Sequence, residues 1–100
     1  MPEVCINFIC SPPIAPKLLD LLLMSPATIT FTSKPTSAHG LPPNRLNESE
    51  QVLGRAEAVE VKVLTDAAGK AALIEEIRRN FAGTGLRYWV AAVLEAGELL

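Results

Sequence analysis

The stretch "SAHGLPPNRLNESEQVLGR", residues 37–55, constrains the fold more than any other feature of this chain. It contains the only histidine and two of the eight prolines, and it divides two apolar halves of similar pattern. Before it the pattern reads strand, helix, strand; after it, strand, helix, strand. A polar excursion of this length inside a chain of 100 residues must leave the core and return to it.

The run "VCINFIC" (Val4–Cys10) is β-branched and aromatic, bounded by Pro2 and by Ser11-Pro12-Pro13. Both of its faces are largely apolar, which predicts a central strand. A helix is predicted over 14–24, with Leu18, Leu19, Leu22 and Leu23 on its apolar face and Lys17, Asp20 and Leu21 off it. Ser25-Pro26 ends it. Over 28–37, Ile29 and Phe31 alternate against Thr28, Thr30 and Thr32, as in a strand with one wet face. Pro35 places that strand at an edge or a bulge.

In the second half, Val59, Val61 and Val63 alternate with Glu60 and Lys62 over 56–65, the clearest strand of the chain. Asp66 is a candidate N-cap for a helix to residue 81. Leu73, Ile74, Ile77 and Phe81 form its inner face; Lys70, Glu75, Glu76, Arg78 and Arg79 form the solvated one, with Glu75 and Arg79 spaced for a weak pair. Gly69 weakens its first turn, and Gly83 and Gly85 stop it. A last strand is predicted over 86–96, with Tyr88 and Trp89 on opposite faces, one under the helices and one where a partner subunit would cover it.

The order β-α-β-β-α-β predicts a single α+β domain over residues 1–100. It is a ferredoxin-like sandwich, a four-stranded antiparallel sheet with two helices on one face. In that topology strands two and three form a hairpin, whose loop usually has two to five residues. Here the connection spans residues 38–54, so it is expected to carry function. Leu41, Leu46 and Val52 inside it favour partial order, with a helical turn near 48–53.

Composition excludes several classes of function. A net charge of −2 does not fit a general nucleic-acid binder. No run of about 18 apolar residues is present to span a membrane. The acidic, leader-free start points to a cytoplasmic protein. Cys5 and Cys10 lie five apart on one strand, hence on opposite faces, and read as small buried or half-buried residues. No Cys-x-x-Cys pair is present. Neither a Ser/His/Asp nor a Cys/His set is visible, and the turn "SPPIAP" lacks the arginine that an acylphosphatase-type anion loop needs, so no enzyme is expected.

Three groups remain as candidates. His39, the sole imidazole, reads either as an exposed turn residue before Gly40 or as a metal or ligand contact, with Glu48 and Glu50 nearby and symmetric copies supplying further ligands. Gly83-Thr84-Gly85 reads either as a helix stop or as an anion-cradling turn with Arg87. Arg55 reads as the partner of a carboxylate or of a ligand phosphate.

The element order, the "HG" pair at His39-Gly40, "EQVLGR" (50–55) and "GTGLRYWVAAVLEAGEL" (83–99) together resemble the P-II-like signalling superfamily. Within it they resemble a small branch that tends to be encoded beside heavy-metal efflux pumps. The resemblance implies a non-enzymatic regulatory or sensor protein, a homotrimer with its sheets facing inward. It implies a ligand cleft between subunits, carried onto Gly83, Thr84, Gly85, Arg87 and Arg55. The 38–54 loop would be the effector arm, presenting His39, Gly40, Arg45, Glu48, Glu50 and Gln51 to a partner such as a membrane transporter. The segment "LEAGELL" has no Arg or Lys where nucleotide-binding members carry phosphate-gripping arginines, and the loop has no Tyr. A nucleotide and a divalent metal both stay open as ligands. The alternative is a divalent-metal buffer or tolerance protein using His39.

Overall fold

The computed structural model describes residues 3–26, 29–40 and 54–100. Its elements are β1 (Val4–Cys10), α1 (Ala15–Leu23), β2 (Thr30–His39), β3 (Arg55–Thr65), α2 (Ala67–Phe81) and β4 (Arg87–Ala92). The four strands form one antiparallel sheet in the order β2-β3-β1-β4, the ferredoxin-like arrangement. β1 is central, and Pro35 sits on the edge strand β2.

Strand alternation gives the sheet two different faces. Ile6, Phe8 and Cys10 of β1 and Val61 and Val63 of β3 are buried against Leu18 and Leu22 of α1 and Leu73, Ile77 and Phe81 of α2. Burying such side chains contributes roughly 1.5–3 kcal/mol each, so this layer dominates stability. Within α1, Leu21 packs against the core and Leu23 is 70 % exposed, the reverse of the expected face. The helix is rolled so that Leu18 and Leu22 lie at the centre of the contact, with Leu19 and Leu21 flanking them.

Two local contacts fix the helices. Asp66 caps α2, its carboxylate accepting from the Gly69 N–H at 2.7 Å. A Cβ on Gly69 would run into the buried Thr65 hydroxyl, so the glycine that weakens this turn is demanded by close approach. At the other end, the Lys17 ammonium donates to the Asn80 carbonyl at 2.9 Å and lies 5.0 Å from the centre of the Phe81 ring. It therefore satisfies a terminal carbonyl of α2 from α1.

The hydrogen-bond phase follows from one rung. The Val93 N–H donates to the Glu3 carbonyl at 2.9 Å, in line with the β1–β4 register. Alternate residues of an antiparallel strand face alternate neighbours. Arg87, Trp89 and Ala91 therefore direct their backbone groups at β1, while Tyr88, Val90 and Ala92 direct theirs outward. Carried across the sheet, the same phase turns the Pro35 nitrogen away from β3, where no ladder bond is lost.

Two strand ends differ from expectation. β4 stops at Ala92 instead of residue 96; its last described rung joins Val93 to Glu3. β2 runs on to His39 instead of residue 37, because β3 supplies partners as far back as Arg55. The four pairs Thr36↔Ala58 to His39↔Arg55 lie beyond the last β1–β3 pair, Cys10↔Val59. They make a two-stranded ribbon that projects roughly 13 Å past the end of β1.

Candidate functional site

Two places hold the candidate residues: the tip of the ribbon and the turn between α2 and β4. At the tip, His39 and Arg55 are cross-strand partners, followed inward by Ala38 opposite Ala56. His39 is thus a strand residue rather than a turn residue, and its cross-strand neighbour is a cation. Gly40 and Gly54 leave the ribbon with φ of 76° and 70°, a backbone region that glycine enters without steric cost. Arg45, Glu48, Glu50 and Gln51, with the helical turn expected near 48–53, lie outside the described residues. Among the described residues no group of three or more His, Cys, Asp or Glu side chains gathers to hold a metal ion.

The α2–β4 turn is built as a helix stop that also shapes a groove. Thr84 is tied back to the helix end twice: its N–H and its hydroxyl both donate to the Phe81 carbonyl, at 3.2 and 2.7 Å. The hydroxyl also accepts from the Leu86 N–H at 3.3 Å. Gly83 and Gly85 adopt φ of 79° on either side. With its hydroxyl engaged in this way, Thr84 serves the turn itself.

An open groove of about 300 Å³ runs beside the turn. Ile77, Arg78 and Phe81 of α2 line one side, and Ala82, Gly83 and Gly85 line its end. Leu86 and Tyr88 close the other side. The Arg78 guanidinium donates to the Tyr88 phenolic oxygen at 3.1 Å, which spans the groove and holds the guanidinium above its ordinary pKa, with Glu75 contributing. The Tyr88 ring leans on Phe8 at 6.5 Å between centroids. Arg87, the basic residue expected beside the glycine turn, lies outside the groove lining. Alternation sends it to the opposite face, across from Ile9. Arg78 is the residue that sequence reading missed, having been assigned to a solvated helix face. Its one sequence signal is the expectation that either Tyr88 or Trp89 packs under the helices; the register puts Tyr88 on the face of Phe8.

The face without helices carries a different set. Trp89 is 50 % exposed and stands opposite Asn7 of β1. Asn7 is buried, its amide donating to the Cys5 carbonyl at 3.4 Å, with the Cys5 thiol 3.9 Å from its Oδ1. Glu60 lies between Lys34 and Lys62, 3.7 Å from each ammonium, a surface arrangement worth little in stability. On the helix side, Cys10 is buried with its thiol toward the Val59 carbonyl, and burial pushes the thiol pKa up. Among the described residues no helix is long and apolar enough to cross a membrane.

A family model described as "protein of unknown function (DUF3240)" matches residues 1–100. The chain belongs to the DUF3240 family. Among curated proteins, none matches it. A crystal structure of a DUF3240 family protein from Shewanella baltica superposes with a TM-score of 0.80 at 18 % identity, over 100 % of this chain and 99 % of that one. CPII of Thiomonas intermedia is described as a nitrogen regulatory PII-like protein bound to ADP, AMP and bicarbonate. It superposes at 0.68 with 14 % identity, over 100 % of this chain and 98 % of that one. A putative PII-like signalling protein from Thermus thermophilus gives 0.66 at 10 % identity, over 93 % and 88 %. This DUF3240 member thus shares the fold of PII-like proteins.

Proposed function

We propose that this chain is a non-enzymatic PII-like regulatory protein of the cytoplasm that assembles as a trimer. It binds a small ligand in clefts between subunits and signals through the 38–54 loop. The observation that carries the reading is the projecting ribbon. Four strand pairs extend past β1, and their outlet is the 40–54 connection. A two-stranded stem under a long connection is a means of presenting a loop to a partner. A loop that changes order when a ligand binds converts occupancy into partner choice. The fold shared with CPII, a protein bound to ADP, AMP and bicarbonate, supports a ligand-responsive role. The ligand contacts are assigned to Gly83, Thr84, Gly85, Arg87 and Arg55, and the effector contacts to His39, Gly40, Arg45, Glu48, Glu50 and Gln51. The partner is a membrane transporter, of the heavy-metal efflux kind that the sequence resemblance implies. In the trimer, the sheet face bearing Trp89 is turned inward.

Native mass spectrometry with AMP, ADP, ATP, bicarbonate, Zn²⁺ and Cu²⁺ tests this directly. The expected result is a trimer that gains mass with one of the nucleotides or with bicarbonate. A monomer at every concentration, taking up nothing, rejects the reading. Uptake of metal alone, lost in His39→Ala, replaces it with the metal-buffer alternative.

A further inference from the structure

The segment after the last rung, "LEAGELL", forms neither helix nor strand. Val93 makes the last rung with Glu3, and beyond it Leu94 is 101 %, Leu99 103 % and Leu100 111 % exposed. Three leucines held in water at that level call for a covering surface.

A surface of matching kind lies on the outer side of β4. The outward groups of Tyr88, Val90 and Ala92 are unpaired in the sheet, and the strand "RYWVAA" carries neither proline nor lysine to discourage pairing. The groove beside it is walled by Ile77, Phe81 and Leu86, and its one charged lining residue is Arg78. The segment 93–100 holds Glu95 and Glu98 and no cation. An acidic, leucine-bearing strand thus faces an apolar groove with a guanidinium across it, and a second cation, Arg87, starts β4.

Strand alternation sorts the segment suitably. One parity gives Leu94, Ala96, Glu98 and Leu100 for the groove side; the other gives Glu95 for the side of Arg87. The segment does not reach the groove within its own chain. With Val93 paired to Glu3, even a two-residue turn brings Leu99 and Leu100 back only to Val90 and Trp89. The groove walls at Gly85 and Leu86 lie further on.

We infer that residues 94–100 of one copy add as an extra strand to the outer edge of β4 of a second copy, seating leucines in the groove and Glu98 on Arg78. This is β-augmentation, with main-chain bonds supplying affinity and side-chain pockets supplying register. The contact is head-to-tail and closes into a ring when its rotation permits. It rests on the self-association proposed above and not on its ligand or effector assignments.

Amide hydrogen exchange of the full chain across a concentration series tests it. The Tyr88, Val90 and Ala92 amides are expected to slow by roughly tenfold or more from low to high concentration, while Trp89 and Ala91 stay protected throughout. The double variant Leu94→Ser with Leu100→Ser, altered only at fully exposed positions, is expected to leave the outer amides fast at every concentration. Arg78→Glu is expected to do the same, and mixing it with the Glu98→Arg chain to restore protection. Outer amides that are fast in the wild type at all concentrations overturn the inference. So does protection independent of concentration, or protection unchanged in the serine variant.

Discussion

The two edges of the sheet are built on opposite plans. On β2, the outward positions include Pro35, which has no N–H to offer, with Lys34 beside it. That edge is closed to further pairing by chemistry. On β4, every outward residue keeps its N–H, the run from Tyr88 to Ala92 is uncharged, and an apolar groove lies alongside. One edge ends the sheet, and the other leaves it able to grow by a strand. The contrast shows that an exposed strand edge in this fold is specified residue by residue, by the phase of the ladder as much as by composition.

The sharpest way to break the contrast is to move proline between phases of β4. Ala91→Pro removes an N–H that faces β1 and is expected to cost about 3 kcal/mol in chemical denaturation. Val90→Pro removes an outward N–H, as Pro35 does on β2, and is expected to cost about 1 kcal/mol while closing the edge to added strands. Equal losses in the two variants would show that the phase has been assigned wrongly. A second test opens the closed edge. Lys34→Val with Pro35→Val makes β2 resemble β4, and light scattering is expected to show open-ended association at concentrations where the parent chain stays finite.

A smaller effect concerns the groove wall. Lys17→Met removes the cap on the Asn80 carbonyl and the contact with Phe81, and is expected to cost about 1 kcal/mol by thermal or urea unfolding. The smallest is a pH effect at Cys10, where the sheet gives way to the ribbon. Burial raises this thiol above its ordinary 9.0 in the folded state. Below that value both states keep the proton and nothing changes. Above it the unfolded chain ionises first, so stability falls with rising pH until the folded thiol also ionises. Cys10→Val is expected to flatten that alkaline decline.

Which parts of this were legible in advance follows from how local their causes are. The Val59, Val61 and Val63 alternation, the Asp66 cap and the Phe81 face of α2 each depend on a few neighbouring residues, and the chain displays them openly. The end of β4 falls where Val93 meets Glu3, a residue far off in the sequence, so an apolar run to residue 96 misleads. The same holds at His39: "HG" reads as a turn until β3 is seen to supply Arg55 opposite it. Leu21 and Leu23 exchange roles because the roll of α1 is chosen by the sheet beneath it. Of the site, the glycine turn was visible in the sequence. The Arg78–Tyr88 bridge was not, since it joins a helix surface to a strand by parity alone.

The ribbon has a mechanical consequence. β3 passes without interruption from its tip at Arg55 to Thr65, and along the way it changes from half of a two-stranded ribbon, where Ala56 and Ala58 are buried, into an inner member of the sheet. No joint separates the stem from the domain; the strand of the stem continues into the core itself. A load applied at His39 and Arg55 is carried along one continuous strand to Val61 and Val63 and felt as bending there. The tip of the molecule and two of its most deeply buried residues thus share one strand.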